Sequence, residues 1–419
     1  MLIFREMITG FYKNDEQRFR VAQILFVTSI ALGWFIADGY RRGLFLLAIM
    51  LLNKSQRKIN VRRCWTGLTK VTGFILTALF LWVTLVPLFS GMEPFYDRVE
   101  GMARPIEVFL YCAGTMIFAR DAFFEKHLFH FSVASAIFVS FFAFTRRLLL
   151  SFSEIRDDWA FGMHAALAGL IIASLLPWLF YAICKRKTTR TQQVFYIIAI
   201  IVAFSAIFVT YYRTIWIAVI AQLLFAIPLS YYCFNANILN HKKLLAVLLL
   251  SASVIVGHSY HTSFVIKDRV DRLVSLGSNF KNFTNNRVDI WKEAALLISQ
   301  RKLGGYGWVP YNDFAVIKMH HPHSSYLEAA FHAGIPAGIL YGMAFVTSFM
   351  LALRYIFTKK GPASIAYVVS LMILAATVGG LTEAFFYASR EYLVPFWSMV
   401  SMLLSPLYAK QEGGTHCGK

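Results

Sequence analysis

Charge is scarce in this chain: of its 419 residues, 15% are Asp, Glu, Lys or Arg, where a soluble protein carries about a quarter. That shortfall excludes a large water-soluble enzyme with an ordinary polar shell. Acidic residues are scarcer than basic ones, 22 against 41, which leaves a formal net charge of +19. In a soluble protein such a surplus would point to nucleic acid. Here most of it sits in short clusters between apolar runs, as expected of loops held on the cytoplasmic side of a membrane, so no nucleic-acid partner is expected. Cysteine is thinly spread as well. Cys64, Cys112, Cys184, Cys233 and Cys417 make no Cys-x-x-Cys pair and no zinc spacing, so neither a disulfide nor a metal cluster is expected. The first twenty residues hold Arg5, Lys13, Arg18 and Arg20 but no small-residue cleavage site behind an apolar core. They do not read as a removable signal peptide, and the first membrane helix is expected to act as its own uncleaved signal.

Apolar residues fill the space that charge leaves, at 58% of the chain and a mean hydropathy of +0.57. A bilayer core of roughly 30 Å takes about 20 apolar residues as helix, and irregular backbone cannot face lipid because its polar groups would go unsatisfied. The expected fold is therefore all-α, a polytopic membrane protein with about twelve transmembrane helices. The segments run from Val21 to Ala37, Tyr40 to Leu52, Leu68 to Phe89, Pro105 to Ala119, Leu128 to Phe144, His164 to Cys184, Val194 to Thr210, Thr214 to Cys233, Leu244 to Val256, Ile335 to Phe357, Ala363 to Leu381 and Leu393 to Tyr408. The second, fourth and ninth are short, either tilted helices with polar extensions or re-entrant segments.

The basic clusters set the expected orientation. Lys54, Arg57, Lys58, Arg62 and Arg63, then Lys185, Arg186, Lys187 and Arg190, then Lys242 and Lys243, then Lys359 and Lys360 all fall on one side. Taking that side as cytoplasmic puts both termini inside and one long polar segment outside. The expected organisation is an N-terminal membrane part over residues 1–256, an outer helical loop over 257–334, a C-terminal membrane part over 335–410 and a disordered tail over 411–419.

Within the outer segment, Asp268 to Leu276 and Asn286 to Lys302 have helical patterning, the second with Val288, Trp291, Ala295 and Ile298 on one stripe. Both are expected to lie across the membrane surface. Asn285 or Asn286 would cap the second helix, which puts Arg287 in its first turn, where the helix dipole disfavours a cation. Arg287 therefore calls for a partner, Asp289 or Asp271, or for a function. His320, His321 and His323 crowd into four residues before Ser324, Ser325, Tyr326, Leu327 and Glu328. They admit three readings: metal ligands, a general base near neutral pH, or side chains that solvate the loop. Against metal, His320 and His321 must point apart, and no Asp-x-Asp or His-Glu-x-x-His accompanies them. Arg213 stands between two apolar runs, either snorkelling to headgroups or functional at its depth. Together Arg213 and Arg287 could clamp a phosphate, since guanidinium matches phosphate oxygens in a bidentate way.

These pieces, in this order, resemble the O-antigen ligase and O-antigen polymerase superfamily of bacterial envelope glycosyltransferases. The resemblance rests on Tyr212-Arg213-Thr214 opening a helix and on Arg287 four residues before Trp291. It continues through the turn Leu303-Gly304-Gly305-Tyr306-Gly307 to His323-Ser324-Ser325-Tyr326-Leu327-Glu328, which leads through Gly334 and Gly338 into a membrane helix, with a weaker echo at Gly380 to Glu383. Tyr212, Leu303 and Ser324 depart from the family pattern without removing a reactive group. The resemblance implies a glycan donor linked to undecaprenyl pyrophosphate, with lipid A-core as acceptor for a ligase or a second lipid-linked repeat for a polymerase. It implies transfer on the periplasmic face of the bacterial inner membrane, with membrane lipids as surroundings. His323 would be the base and Arg213 and Arg287 the pyrophosphate ligands, with His320, His321, Tyr326 and Glu328 in support, and no metal or cofactor would be required. A multi-helix transporter is the competing class. Its usual inverted repeats and intramembrane charges are not evident in the sequence.

Overall fold

The computed structural model describes residues 15–34, 38–53, 67–86, 88, 95–119, 121–149, 164–184, 188–210, 212–234, 287–317, 319, 321–358, 363–383 and 390–405. They form twelve α-helices and two single 3-10 turns. In chain order the helices are α1 (Asp15–Leu32), α2 (Asp38–Asn53), α3 (Gly67–Leu85), α4 (Phe95–Phe118), α5 (Ala122–Leu149) and α6 (Ala165–Cys184). After these come α7 (Arg190–Val209), α8 (Arg213–Phe234), α9 (Arg287–Gln300), α10 (Ser325–Thr358), α11 (Ala363–Thr382) and α12 (Arg390–Ser401). The expected segment from Leu244 to Val256, the helix over Asp268 to Leu276, the cap at Asn285 or Asn286, and the tail lie outside the described residues.

Seven of these helices, α3, α5, α6, α7, α8, α10 and α11, are long and apolar enough to cross a membrane. The chain is a multi-pass, all-α membrane protein. Large apolar side chains such as Phe74, Phe141, Leu224 and Val346 are exposed on it, which suits a lipid surround and would be untenable in water. The helices α1 and α4 fall short of that standard because they carry charge, and α2 is charged and only 16 residues long. Arg20 pairs with Glu16 along α1, and Arg41 and Arg42 of α2 share Glu107 of α4 at 2.7 and 2.9 Å. Arg41 is fully buried and also lies over the Tyr111 ring, so its charge is compensated rather than stranded. α4 begins well before the expected Pro105 because its first turns are polar and leave no mark on a hydropathy reading.

α6 and α11 form the centre, since their side chains are buried almost all the way round, as a helix apolar on every face must be. Small residues of α11, among them Ser370, Ala375, Ala376 and Gly379, let its neighbours approach closely. Buried polar side chains help tie the centre together, among them Gln222. Pro177 has no N–H for the carbonyl of Ala173 four residues earlier. The fully buried Gln222 of α8 donates to that carbonyl and to Leu371 O of α11, both at 2.9 Å.

The same logic shapes α10, which breaks at Ala333 and Gly334. Pro336 cannot bond His332 O, and the break releases the carbonyls on either side of it. The turn after α9 takes them up: Tyr306 N–H donates to Phe331 O and Gly307 N–H to His332 O, at 2.8 and 2.9 Å. Ala333 O accepts from Trp82 Nε1 at 2.8 Å, and Ile335 N–H donates to Lys302 O at 2.7 Å. Two glycines make this approach possible. Gly305 and Gly334 have φ of +61° and +79°, and a Cβ on Gly334 would sit 2.1 Å from Leu303 O. Ile290, Ala294 and Ile298 of α9 then pack with Tyr306, Tyr311 and Phe331 into a small core of their own, which fixes α9 against the first turns of α10.

Candidate active site

Three helix ends converge where these constraints place them. α9 starts at Arg287, α10 starts just after His323, and α11 ends just before Glu383. The buried Glu383 carboxylate bridges the other two: its Oε1 accepts from Arg287 Nη2 at 2.6 Å, and its Oε2 lies 3.6 Å from His323 Nδ1. Glu383 is itself anchored through its main chain, donating its N–H to Gly379 O at 3.0 Å and accepting at its carbonyl from Ser325 Oγ at 2.9 Å. Burial alone would raise the Glu383 carboxyl, but the His323 imidazole and the Arg287 guanidinium outweigh it, and the group is held below the usual glutamate range.

His323 differs from its neighbours in backbone as well as position. Its φ of +48° makes it, among the described residues, the one non-glycine in the left-handed region. Such a conformation persists where the surroundings enforce it, and it clusters at functional sites. The surroundings are visible: His323 N–H donates to His321 Nδ1 at 3.3 Å, the two rings lie 4.4 Å apart, and Trp291 Nε1 donates to His323 O at 3.4 Å.

The other expected residues fare differently. Arg287 reaches Glu383, 96 residues along the chain, a partner that the local choice between Asp289 and Asp271 did not include. Arg213 opens α8, and its side chain lies outside the description. Its neighbour Thr214 meets Thr382 at 2.6 Å between hydroxyls, which brings the start of α8 beside Glu383. His164 holds Tyr212 on the other flank, ring nitrogen to phenol at 3.0 Å. Tyr326 packs on Tyr341 and Phe345, and Glu328 is fully buried. His321 supports His323, and His320 lies outside the described residues. Among the described residues, no three His, Cys, Asp or Glu side chains converge as metal ligands. Glu383 is the residue that sequence reasoning passed over. Its only signal was the faint echo from Gly380, at the close of an otherwise apolar helix.

Arg287, Glu383 and His323 thus form one charged cluster, half-buried around the buried Glu383, where three helix ends of a membrane bundle meet. Residues 198–342 match the family model described as O-antigen ligase, so the chain carries that domain, in a family covering ligases and polymerases alike. No curated protein matches the chain. The family implies a glycosyl-transfer enzyme acting on lipid-linked glycans. Arg213, Arg287 and His323 fall inside the matched stretch, and Glu383 falls beyond it.

Proposed function

We propose that this protein is an O-antigen ligase of the bacterial inner membrane, moving a glycan from undecaprenyl pyrophosphate to lipid A-core on the periplasmic face. The carrying observation is the Glu383 bridge between Arg287 and His323. A sugar bonded to pyrophosphate already has a good leaving group, so the protein must supply a base for the acceptor hydroxyl and cations for the departing diphosphate. A carboxylate facing Nδ1 favours the tautomer with its proton there, which leaves Nε2 of His323 to take the acceptor's proton. The acceptor oxygen then bonds the anomeric carbon as the carbon–oxygen bond to diphosphate breaks, and displacement inverts that centre. Glu383 neutralises Arg287, although Arg287 keeps further N–H donors for phosphate oxygens. The excess positive charge must come from Arg213 at the start of α8, where the helix dipole adds to it. No divalent metal enters this scheme.

The topology belongs to the same proposal. α1, α2, α4, α12 and the segment from Leu244 to Val256 join the seven apolar helices to make about twelve spans, with both termini cytoplasmic. The test is in vitro transfer from a defined lipid-linked donor in excess EDTA, with donor binding measured separately. His323→Ala should lower transfer by about 10² to 10⁴ fold, the range of general base catalysis, and leave donor binding intact. Arg213→Ala and Arg287→Ala should weaken both, with Lys rescuing only in part. Near-native transfer by His323→Ala, or a larger loss from His321→Ala, would overturn the assignment. In a deletion strain a ligase null should retain lipid-linked polymer, whereas one repeat left on the core would mark a polymerase.

A further inference from the structure

Beside the charged cluster, two helix starts are joined side chain to side chain. His164 stands just before α6 and Tyr212 just before α8. Each caps its helix: Ala166 N–H donates to His164 Nδ1 at 3.3 Å, and Ile215 N–H and Trp216 N–H donate to Tyr212 O at 3.0 and 3.3 Å. The Tyr212 hydroxyl lies 3.0 Å from His164 Nε2 and 3.3 Å from Nδ1. A ring nitrogen that accepts from a backbone N–H carries no proton, so the imidazole has its one proton on Nε2 and donates it to the phenol. The phenol in turn acts as a donor through its own O–H. Its corner of the chain is stiff, since Phe208 and Trp216 stack at 4.6 Å across it and Tyr212 N–H donates to Thr210 Oγ1 at 3.4 Å. Tyr212 is half-buried. It also stands near the cluster, because Thr214, two residues on, meets Thr382, the residue before Glu383.

We propose that Tyr212 is a ligand-contacting residue of this site, giving its phenolic hydrogen bond to an anionic oxygen, and that His164 is the positioning residue that orients it. The proposal rests on the transfer reading above only for taking that oxygen to belong to the glycan donor. The anion follows from the surroundings of the phenol. It sits at the start of a helix whose leading N–H groups have no partner within the helix, and the first residue of that helix is Arg213. Negative charge is favoured at such a place, and hydrogen bonds to an ionised oxygen are the strong ones. The imidazole does more than hold the ring in place. A hydroxyl that accepts one hydrogen bond becomes a better donor of the next, so His164 strengthens the bond that Tyr212 gives. A donor fixed in advance costs no reorganisation when negative charge arrives beside it.

The test is binding of farnesyl pyrophosphate to the full-length protein in nanodiscs, with farnesol as the uncharged control. Tyr212→Phe should weaken binding of the pyrophosphate by roughly ten- to thirtyfold, the worth of one hydrogen bond to a charged group, and leave farnesol unchanged. His164→Asn keeps a side-chain oxygen for Ala166 N–H but is too short to hold the phenol. It should cause a smaller loss by itself and none on top of Tyr212→Phe, because it acts only through the phenol. Melting temperatures in detergent should hardly move for either variant. In transfer from a lipid-linked donor, Tyr212→Phe should raise the donor KM by a similar factor and leave the acceptor KM where it was. Unchanged pyrophosphate binding by Tyr212→Phe, an equal loss for farnesol, or additive losses in the double variant would overturn the proposal. So would a fall in melting temperature large enough to account for the loss, which would reduce the pair to a tie between α6 and α8. Pyrophosphate binding that depends on Tyr212 in a protein that transfers nothing would uphold this inference and sink the ligase reading, whereas transfer with binding indifferent to Tyr212 would sink the inference alone.

Discussion

Glu383 shows how much one side chain can organise. It has a guanidinium on one oxygen and an imidazole facing the other, so removing its charge strands Arg287 and frees His323 at once. Glu383→Gln should destabilise the protein by about 2 to 3 kcal/mol, below the roughly 3–5 of a fully buried pair because Arg287 keeps some contact with water. Because the folded carboxyl is held below its ordinary value, its contribution is complete above the unfolded glutamate pKa and is lost as pH falls through the lowered folded value. Thermal melting in detergent should therefore show a gap between wild type and Glu383→Gln at about pH 5.5 that narrows below about pH 4. A gap that persists undiminished at about pH 3 would contradict the bridge. Arg287 and His323 were legible in the sequence because each carries local context: an Arg in a helix's first turn, and a histidine run ahead of a glycine-rich helix. Glu383 had none. A lone carboxylate closing an apolar helix has no periodicity to read, and its partners lie 96 and 60 positions back along the chain.

At the scale of elements, apolar runs foretold most spans, and the misses have physical causes. Hydropathy sees only the lipid-facing and core-facing parts of a helix. The polar first turns of α4 went unread for that reason, and so did the start of α10 at Ser325, well before the expected Ile335. The break in α10 was hinted at by Gly334 and Pro336, but the turn that satisfies its carbonyls comes from a different part of the chain. That dependence is testable with a pair of glycines. Gly334→Ala meets Leu303 O at 2.1 Å in a backbone region open to glycine alone, and should cost about 3 kcal/mol or more. Gly342→Ala, on the same helix with nothing nearer than Tyr326 at 4.0 Å, should be neutral or stabilise by up to about 1 kcal/mol. Detergent melting temperatures should separate the two widely. Equal effects would mean that the turn does not lock α10.

For the whole molecule, the proposed mechanism requires the charged cluster to lie on the periplasmic side, where lipid A-core is reached. Orientation was read from the clusters at Lys54 to Arg63 and at Lys185 to Arg190, which the positive-inside rule assigns to the cytoplasm. The helix ends obey a stricter constraint: α9, the start of α10 and the end of α11 share one end of the bundle, so a single reporter there fixes the side for all three. Val316 is a suitable site because it is 87% exposed on the turn packed beside α9. In a background free of native cysteines, Val316→Cys should react with a membrane-impermeant maleimide in intact spheroplasts. Ser55→Cys, within the first basic cluster, should react only after the membrane is opened. The opposite pattern would place Arg287, Glu383 and His323 in the cytoplasm, on the wrong side for the acceptor, and the ligase mechanism would fail together with the topology.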